Sequence, residues 1–353
     1  MQRLAGRAVF TVGGREYGWE DVALAAHLWG EAASLKRRTR EGIACVRHLE
    51  RLGDKHPETE VEEAADAWRY ARDLLSGDDM HAWLEERMLT MDDWLAYVLH
   101  TVLRTRWSAE LGRITKEQKV SSRQIESALY GEAVCSGRLA ELADRLAGQA
   151  AIYEREVGES KTRRPKGCSK AELRAVLKGL PRGEGFLGAR PVPTERAEFV
   201  ACVTLSFDGF VERLTSPAAV EREIEARTLD WTRIDCETVR FSGEDPAREA
   251  TLLVREDGLS LAEAAATARA PLEEHRYLLE DVAPPLRDRL VGARPGELIG
   301  SPSGDGGFVL ISVLDRVEPS SKDRAIRKRA AEALVRRTVQ REVGKRVRWH
   351  ERF

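Results

Sequence analysis

The sequence predicts an α+β protein, and two patterns carry this prediction. Across much of the N-terminal half, apolar side chains recur every three or four positions, which is typical of packed helices. Short β-branched or alternating runs flank glycine turns at the N-terminus and again near the C-terminus, which is typical of antiparallel hairpins. We therefore expect a mainly helical N-terminal domain and a small domain built on an antiparallel sheet.

Length and composition limit the number of domains, the kinds of partner and the cellular compartment that we expect. With 353 residues, of which 42% are hydrophobic, the chain can form two or three domains. The net charge of -2 gives no general reason to expect a nucleic-acid partner. The five cysteines form no CxxC pair, which argues against a zinc site or a disulfide framework and fits a reducing compartment. Since no apolar run is long enough for a signal peptide or a membrane span, we predict a cytoplasmic protein without a membrane partner.

The N-terminal region opens with a strand, Ala8–Val12, that turns back through Tyr17. Helical spacing follows over residues 22–35, which lead into a basic run, and over residues 41–52. Further helices are predicted over residues 58–75, 80–87, 91–107 and 123–157, the last with a break at Gly137.

Four tryptophans in these helices permit two interpretations. They are Trp68, Trp83, Trp94 and Trp107. They can form a cluster for a ligand, or they can be core. We favour core, because aromatic side chains at helical spacing usually bury their large apolar area.

The middle of the chain is less regular. Residues 158–167 form a charged linker, residues 171–177 a short helix, and residues 179–193 a glycine- and proline-rich irregular stretch. The period of residues 199–207 fits either a strand or a helix. Pro217–Ala226 is predicted to be helical.

The C-terminal elements follow in close succession. They are a strand over residues 231–241, helices over residues 245–256 and 260–268, an extended stretch over residues 276–279, a helix over residues 285–290 and a hairpin over residues 294–316. The hairpin reads RPGELIGSPSGDGGFVLISVLDR, with a polar glycine-rich loop from Gly304 to Gly307. These glycines lie between strands and lack a P-loop lysine, so a structural turn is preferred to a phosphate cradle.

This region resembles parvulin-type peptidyl-prolyl isomerases. The resemblance rests on the amino-acid sequence of the hairpin and on the order of predicted elements over residues 230–317. That order is strand, helix, helix, strand, helix, strand, strand. With helices before it and a long helix after it, the whole chain resembles SurA- and PrsA-type (PpiC-related) chaperone-foldases. That resemblance implies a helical chaperone domain completed by the last helix and strand, so that Ala8–Val12 meets residues 346–349.

The resemblance also implies a division of the chain and a set of partners. The implied segments are a helical domain (residues 1–157), a linker and helical connection (158–229), a parvulin-like domain (230–318) and a returning helix and strand (319–353). The chain is similar to a cytoplasmic branch of parvulin-related proteins associated with maturation of ribosomally made peptides. This implies an extended precursor peptide and its modifying enzyme as partners, and no cofactor.

The sequence differs from active parvulins at the positions that the resemblance implies are catalytic. Active parvulins use one histidine on the first strand of the domain and one after the Gly-Phe of the last strand; here Thr238 and Val309 stand near those places. Only Asp235 and Cys236 remain as weak catalytic candidates, and a buried strand cysteine is the commoner interpretation. The expected peptide-binding residues are Cys236, Thr238, Leu286, Val291, Phe308 and Val309.

Three functions stay open on this basis. The preferred one is a chaperone-like protein that binds a peptide through a degenerate parvulin-like domain. The alternatives are an active, atypical prolyl isomerase and a scaffold that recruits a peptide-modifying enzyme. No metal site is predicted, because the seven histidines form no HExxH motif and no pair with i, i+4 spacing.

The last helix has the most uneven charge in the chain. Its apolar stripe consists of Ile326, Ala330, Leu334, Val339 and Val343. The remaining face is rich in arginine and lysine, which permits nucleic-acid binding. We prefer a solvated helix whose stripe packs on the N-terminal domain.

Overall fold

A computed structural model describes residues 6–53, 57–159, 170–178, 193–302 and 306–351. It shows a mixed α and β protein with two small antiparallel sheets. The chain forms two compact units, which are described separately: the first comprises residues 1–211 and 338–353, and the second residues 212–337. Residues 304 and 305 of the predicted loop, and most of the irregular stretches over residues 158–167 and 179–193, fall outside the described residues.

Strands and helices are numbered in chain order. The strands are β1 (Ala8–Val12), β2 (Arg15–Gly18), β3 (Arg233–Phe241), β4 (Leu272–Leu278), β5 (Leu298–Pro302), β6 (Phe308–Val317) and β7 (Val347–Trp349). The helices are α1 (Trp19–Leu28), α2 (Glu31–Leu52), α3 (Glu58–Tyr70), α4 (Gly77–Glu86), α5 (Met91–Arg106), α6 (Leu111–Glu117), α7 (Ser122–Cys135), α8 (Arg138–Glu159), α9 (Lys170–Lys178), α10 (Thr194–Leu214), α11 (Pro217–Ala226), α12 (Glu244–Arg255), α13 (Leu261–Thr267), α14 (Pro284–Gly292) and α15 (Arg324–Arg346). A 3-10 helix, Leu279–Asp281, follows β4.

The first unit joins both ends of the described chain in one sheet. Its strand order is β2-β1-β7, and β7 pairs antiparallel with β1 so that Phe10 faces Trp349. The rings of these two residues meet edge to face at 5.4 Å. Beyond the strand, Glu351 accepts a hydrogen bond from Trp19 Nε1 at 2.9 Å. The predicted meeting of the N-terminal strand with the C-terminal strand is therefore confirmed.

The helices of the first unit surround a large apolar core. Trp94 is buried in it, and Trp68 and Trp83 pack against it. The ring of Trp68 lies 5.0 Å from that of Trp83 and 5.7 Å from that of Trp94. Trp107 packs on a smaller apolar cluster between α2, α5 and α6. The core interpretation of the tryptophans is confirmed.

The boundary between the first two helices lies at a different place from the predicted one. The predicted helix over residues 22–35 is wrong, because α1 ends at Leu28 and α2 begins at Glu31. Gly30 between them has φ of 74°, a left-handed conformation that glycine adopts without steric cost and that ends a helix. The basic run that follows the predicted helix lies inside α2, which continues to Leu52.

Several other local predictions are confirmed. The helix α11 has the predicted bounds, and residues 199–207, which fitted either element, are helical within α10. Ser260 caps α13 as expected: its side chain accepts from the Glu263 N–H, while the Glu263 carboxylate accepts from the Ser260 N–H.

The last helix packs differently from the prediction. Ile326, Ala330 and Leu334 of α15 form a core with α11 and with Trp231, which is 1% exposed, inside the second unit. From Thr338 onward the helix belongs to the first unit. The prediction that the whole stripe packs on the N-terminal domain is corrected, because α11 and Trp231 supply apolar surface for its first half within the second unit.

Candidate functional site

The candidate site lies on the sheet of the second unit. The strand order is β4-β3-β6-β5, and all neighbours are antiparallel. Successive side chains of a strand point to opposite faces, so this sheet has two distinct surfaces. One, the α12–α13 face, packs Val239, Phe241 and Leu310 against α12 and α13. The other, the α14 face, packs Ile234, Cys236 and Ile311 against α14.

The structure places five of the six predicted peptide-binding residues on the α14 face. Cys236 is in its core, and Leu286, Val291 and Val309 pack on that core while half-buried. Thr238, two residues after Cys236 on β3, shares this face and is 6% exposed. Its hydroxyl lies 3.5 Å from the backbone oxygen of Glu273 on β4.

Phe308 does not join this group. It packs on the α12–α13 face, where its ring approaches Gly300 so closely that an added Cβ at Gly300 would lie 2.7 Å from the ring. The expectation that it lines the same groove as Val309 is corrected. Adjacent residues point to opposite sides of a sheet where the register is regular, as it is between β3 and residues 308–313 of β6.

The weak catalytic candidates Asp235 and Cys236 are also separated by this alternation. The Asp235 carboxylate is held on the other face by Arg233, with its oxygens 2.7 and 3.0 Å from Arg233 Nε and Nη2. Cys236 is 1% exposed, and burial, assisted by the Asp235 charge, raises the pKa of its thiol to about 11. A thiol that stays protonated at neutral pH is a poor nucleophile. The two side chains therefore do not form a catalytic pair.

Two polar residues of the α14 face, Glu273 and His275, were missed by the sequence analysis. His275 on β4 lies directly opposite Cys236, and the Cys236 Sγ approaches its backbone oxygen at 3.7 Å. The His275 ring stacks on Tyr277 with centroids 5.5 Å apart, and its Nε2 lies 3.0 Å from a carboxylate oxygen of Glu273. The extended stretch predicted from the sequence begins only at Arg276, whereas β4 begins at Leu272. Glu273, His275 and Tyr277 occupy every second position, and this period of two could have predicted the longer strand.

Polar contacts fix α14 over the sheet. Arg287 pairs with Asp230, just before β3, and Arg316 on β6 donates to the backbone oxygen of Val291 at 2.7 Å. These contacts hold the helix at both ends and leave Leu286 and Val291 half-buried at its margin. The result is an apolar surface, partly open to solvent, with His275, Glu273 and Tyr277 along one border.

The arrangement can bind apolar side chains more readily than it can perform proton transfer. At the two places where the resemblance implies histidines, Thr238 and Val309 offer no group that titrates near neutral pH. Among the described residues, no three histidine, cysteine or acidic side chains are grouped to hold a metal ion.

No protein-family model matches the chain, and no curated protein shows significant similarity to it. Across the part of the chain that the structure describes, no helix combines the length and apolar character needed to cross a membrane.

Proposed function

We propose that this protein is a chaperone-like peptide-binding protein that holds an extended or unfolded peptide on the α14 face. The observation that carries the proposal is the grouping of the half-buried side chains of Leu286, Val291 and Val309 over the buried Cys236 and Thr238 on one face of the sheet. Extended peptides bind such surfaces by placing apolar anchors between side chains.

The element order of the second unit supports a parvulin-like, catalytically degenerate domain. A strand, two helices, a strand, a helix and two strands follow one another from β3 to β6. Prolyl isomerisation must cross a barrier of roughly 20 kcal/mol. Because Thr238 and Val309 replace the implied histidines, we assign this domain to binding rather than to efficient catalysis. The client we propose is a ribosomally made precursor peptide, presented to its modifying enzyme.

The test compares two leucine substitutions on the second unit. Leu286→Asp places a charge on the α14 face, whereas Leu252→Asp places the same charge on α12 at a side chain that is 53% exposed. The probe is a fluorescein-labelled, unstructured synthetic peptide with alternating valine and threonine and one Leu-Pro step. By fluorescence anisotropy, Leu286→Asp should weaken binding about tenfold or more, and Leu252→Asp should leave it unchanged.

A second α14-face variant, Val291→Asp, keeps the test decisive if Leu286→Asp disturbs folding, which circular dichroism would show. Unchanged affinity in a folded α14-face variant would remove this face as the binding surface. A wild-type protein that binds no peptide would contradict the proposed function itself.

The second candidate, an atypical prolyl isomerase, is favoured by the position of His275. It is a polar ring on the same face, beside Glu273 and opposite Cys236. A protease-free exchange assay on a proline peptide should show weak or no turnover. Turnover at the rate of an ordinary parvulin that is lost in His275→Ala, with Arg276→Ala as the matched control, would favour the isomerase.

A further inference from the structure

The strand β4 presents an open edge. It is the first strand in the order β4-β3-β6-β5, and among the described residues it pairs with β3 alone. Its sequence is LEEHRYL, and four of its seven side chains are exposed. An open strand edge is a template for another strand.

The register shows which backbone groups point outward from this edge. The Leu279 N–H donates to the Thr232 oxygen at 3.1 Å, and this pair continues the β3–β4 register, in which Arg233 faces Leu278. Hydrogen-bonded pairs alternate with non-bonded pairs along an antiparallel ladder. The backbone of His275 therefore points toward β3, and the N–H and C=O groups of Glu274 and Arg276 point toward the open edge.

The side chains of Glu274 and Arg276 carry opposite charges on the same face of the strand. Both are exposed, and neither has an ion-pair partner within the described parts of the chain. Glu274 lies opposite Glu237 on β3, a like-charge arrangement that destabilises a sheet. Asp235, which lies opposite Arg276, is already bound by Arg233.

We propose that two copies of this chain associate by antiparallel pairing of their β4 edges about a two-fold axis at His275. In this register Glu274 faces Arg276 of the second copy, and Arg276 faces its Glu274. Leu272, which is 37% exposed, faces Leu278 of the second copy. The outward backbone groups then pair with one another, and two four-stranded sheets become one continuous sheet.

The charges select this register over its neighbours. The outward groups allow shifts of the two-fold axis by one residue at a time along the strand. An axis at Glu274 opposes the two Glu274 side chains, and an axis at Arg276 opposes the two arginines. Only the axis at His275 opposes unlike charges while using the whole strand.

Since a seven-residue edge buries little surface, the dimer is weak and sensitive to salt. This inference is independent of the proposed function.

The experiment is sedimentation equilibrium of the full chain from about 5 µM to about 200 µM, a range that covers weak association. The wild type should dimerise with increasing concentration. Glu274→Arg and Arg276→Glu each oppose like charges twice per dimer and should raise the dissociation constant about tenfold or more. The double variant with both exchanges restores complementarity and should dimerise like the wild type.

Two further arms make the test specific. An equimolar mixture of Glu274→Arg and Arg276→Glu should form a heterodimer that neither variant forms alone. Glu249→Arg, an exposed charge reversal on α12, is the matched control and should leave dimerisation unchanged. In hydrogen exchange, the amides of Glu274 and Arg276 should gain protection as concentration rises.

Three results would overturn the proposal. They are a monomeric wild type throughout the range, a dimer that is indifferent to both single reversals, and a double variant that stays monomeric while folded. Protection of the Glu274 and Arg276 amides only on addition of the valine-threonine peptide would assign the edge to a peptide instead and would likewise overturn the dimer.

Discussion

At the scale of single residues, the first unit places polar groups between its helices. Glu132 on α7 is 2% exposed and accepts hydrogen bonds from Arg104 on α5 and Arg38 on α2, at 3.0 and 3.2 Å. His100 on α5 is 7% exposed, and burial lowers its pKa to about 4, although the Glu132 charge acts in the opposite direction. Buried without its charge, His100 should make the stability of this unit depend on pH.

The first prediction concerns acid destabilisation through His100. Its pKa is lower in the folded chain, so the unfolded chain binds a proton first as the pH falls. Stability from this group is therefore complete above about pH 6.5 and is lost progressively toward pH 4, by about 3 kcal/mol in all. The His100→Gln variant should lack this loss and show a flatter dependence of unfolding free energy on pH.

The measurement is urea unfolding followed by tryptophan fluorescence between pH 7 and 4. This signal reports mainly on the first unit, because Trp231 is the only one of the eight tryptophans between residues 212 and 337. His81→Gln, at an exposed histidine, is the matched control and should keep the wild-type slope. Equal slopes in the wild type and His100→Gln would contradict the prediction.

The second prediction concerns Gly42, where α2 crosses α5. A Cβ added at Gly42 would lie 2.6 Å from both Cβ and Cγ of His100, and the Cβ of His100 cannot move without the helix. Gly42→Ala should therefore destabilise the first unit by about 1–3 kcal/mol, despite the better helix propensity of alanine. Gly344→Ala on α15, where no atom lies within 4 Å of the added Cβ, should be neutral or stabilising. Similar melting-temperature shifts in both variants would contradict the close contact.

At the scale of elements, the alternation of β6 separates packing from binding. Phe308 belongs to the α12–α13 face and Val309 to the α14 face, although they are neighbours in the chain. A substitution at one should therefore change a different property from a substitution at the other.

The third prediction tests this separation. Phe308→Ala removes a ring from the contact with Gly300 and should lower the unfolding free energy of the second unit by about 2 kcal/mol. It should leave the affinity of the folded protein for the peptide probe unchanged. Val309→Ala should weaken probe binding, with a smaller loss of stability. Hydrogen exchange of the β6 amides and anisotropy titrations measure the two effects, and the reverse pattern would exclude the assignment of the faces.

At the scale of the whole molecule, several arginines of the basic last helix form ion pairs with acidic side chains. In the second unit, Arg337 and Arg227 both bind the carboxylate of Glu223, which is 5% exposed, and Arg329 binds Glu280 and Asp281. Hydrogen bonds from Arg337 and then Arg227 lower the pKa of Glu223, outweighing the effect of burial. These partners reduce the cationic surface that a nucleic acid would need.

The fourth prediction concerns the ends of the chain, which meet in one sheet. Deleting residues 346–353 removes β7, the ring contact of Trp349 with Phe10 and three polar side-chain contacts to the N-terminal region, namely Glu351 with Trp19, Glu351 with Arg7 and His350 with Thr11. A two-stranded remnant is only marginally stable. Amide exchange over residues 22–35 should therefore accelerate. Glu351→Gln, which keeps the strand, should show a smaller effect, and unchanged exchange in the deletion would refute the shared sheet.

The sequence by itself determined the features that depend on local patterns. Helical periodicity located α5, α7, α8 and α11, the Ser260 and Glu263 spacing identified the start of α13, and β-branched runs marked β1 and β6. These features depend on neighbouring residues only, so a single sequence is enough to find them.

Only the tertiary structure decided which side chains meet. The division of Phe308 from Val309 and of Asp235 from Cys236 depends on the register of β3 and β6. His275 reaches Cys236 because β4 pairs with β3 across more than thirty intervening residues, and Ile326 packs on Trp231 because α15 folds back on α11. Such contacts are set by the packing of elements remote in sequence, and no local pattern in the chain encodes them.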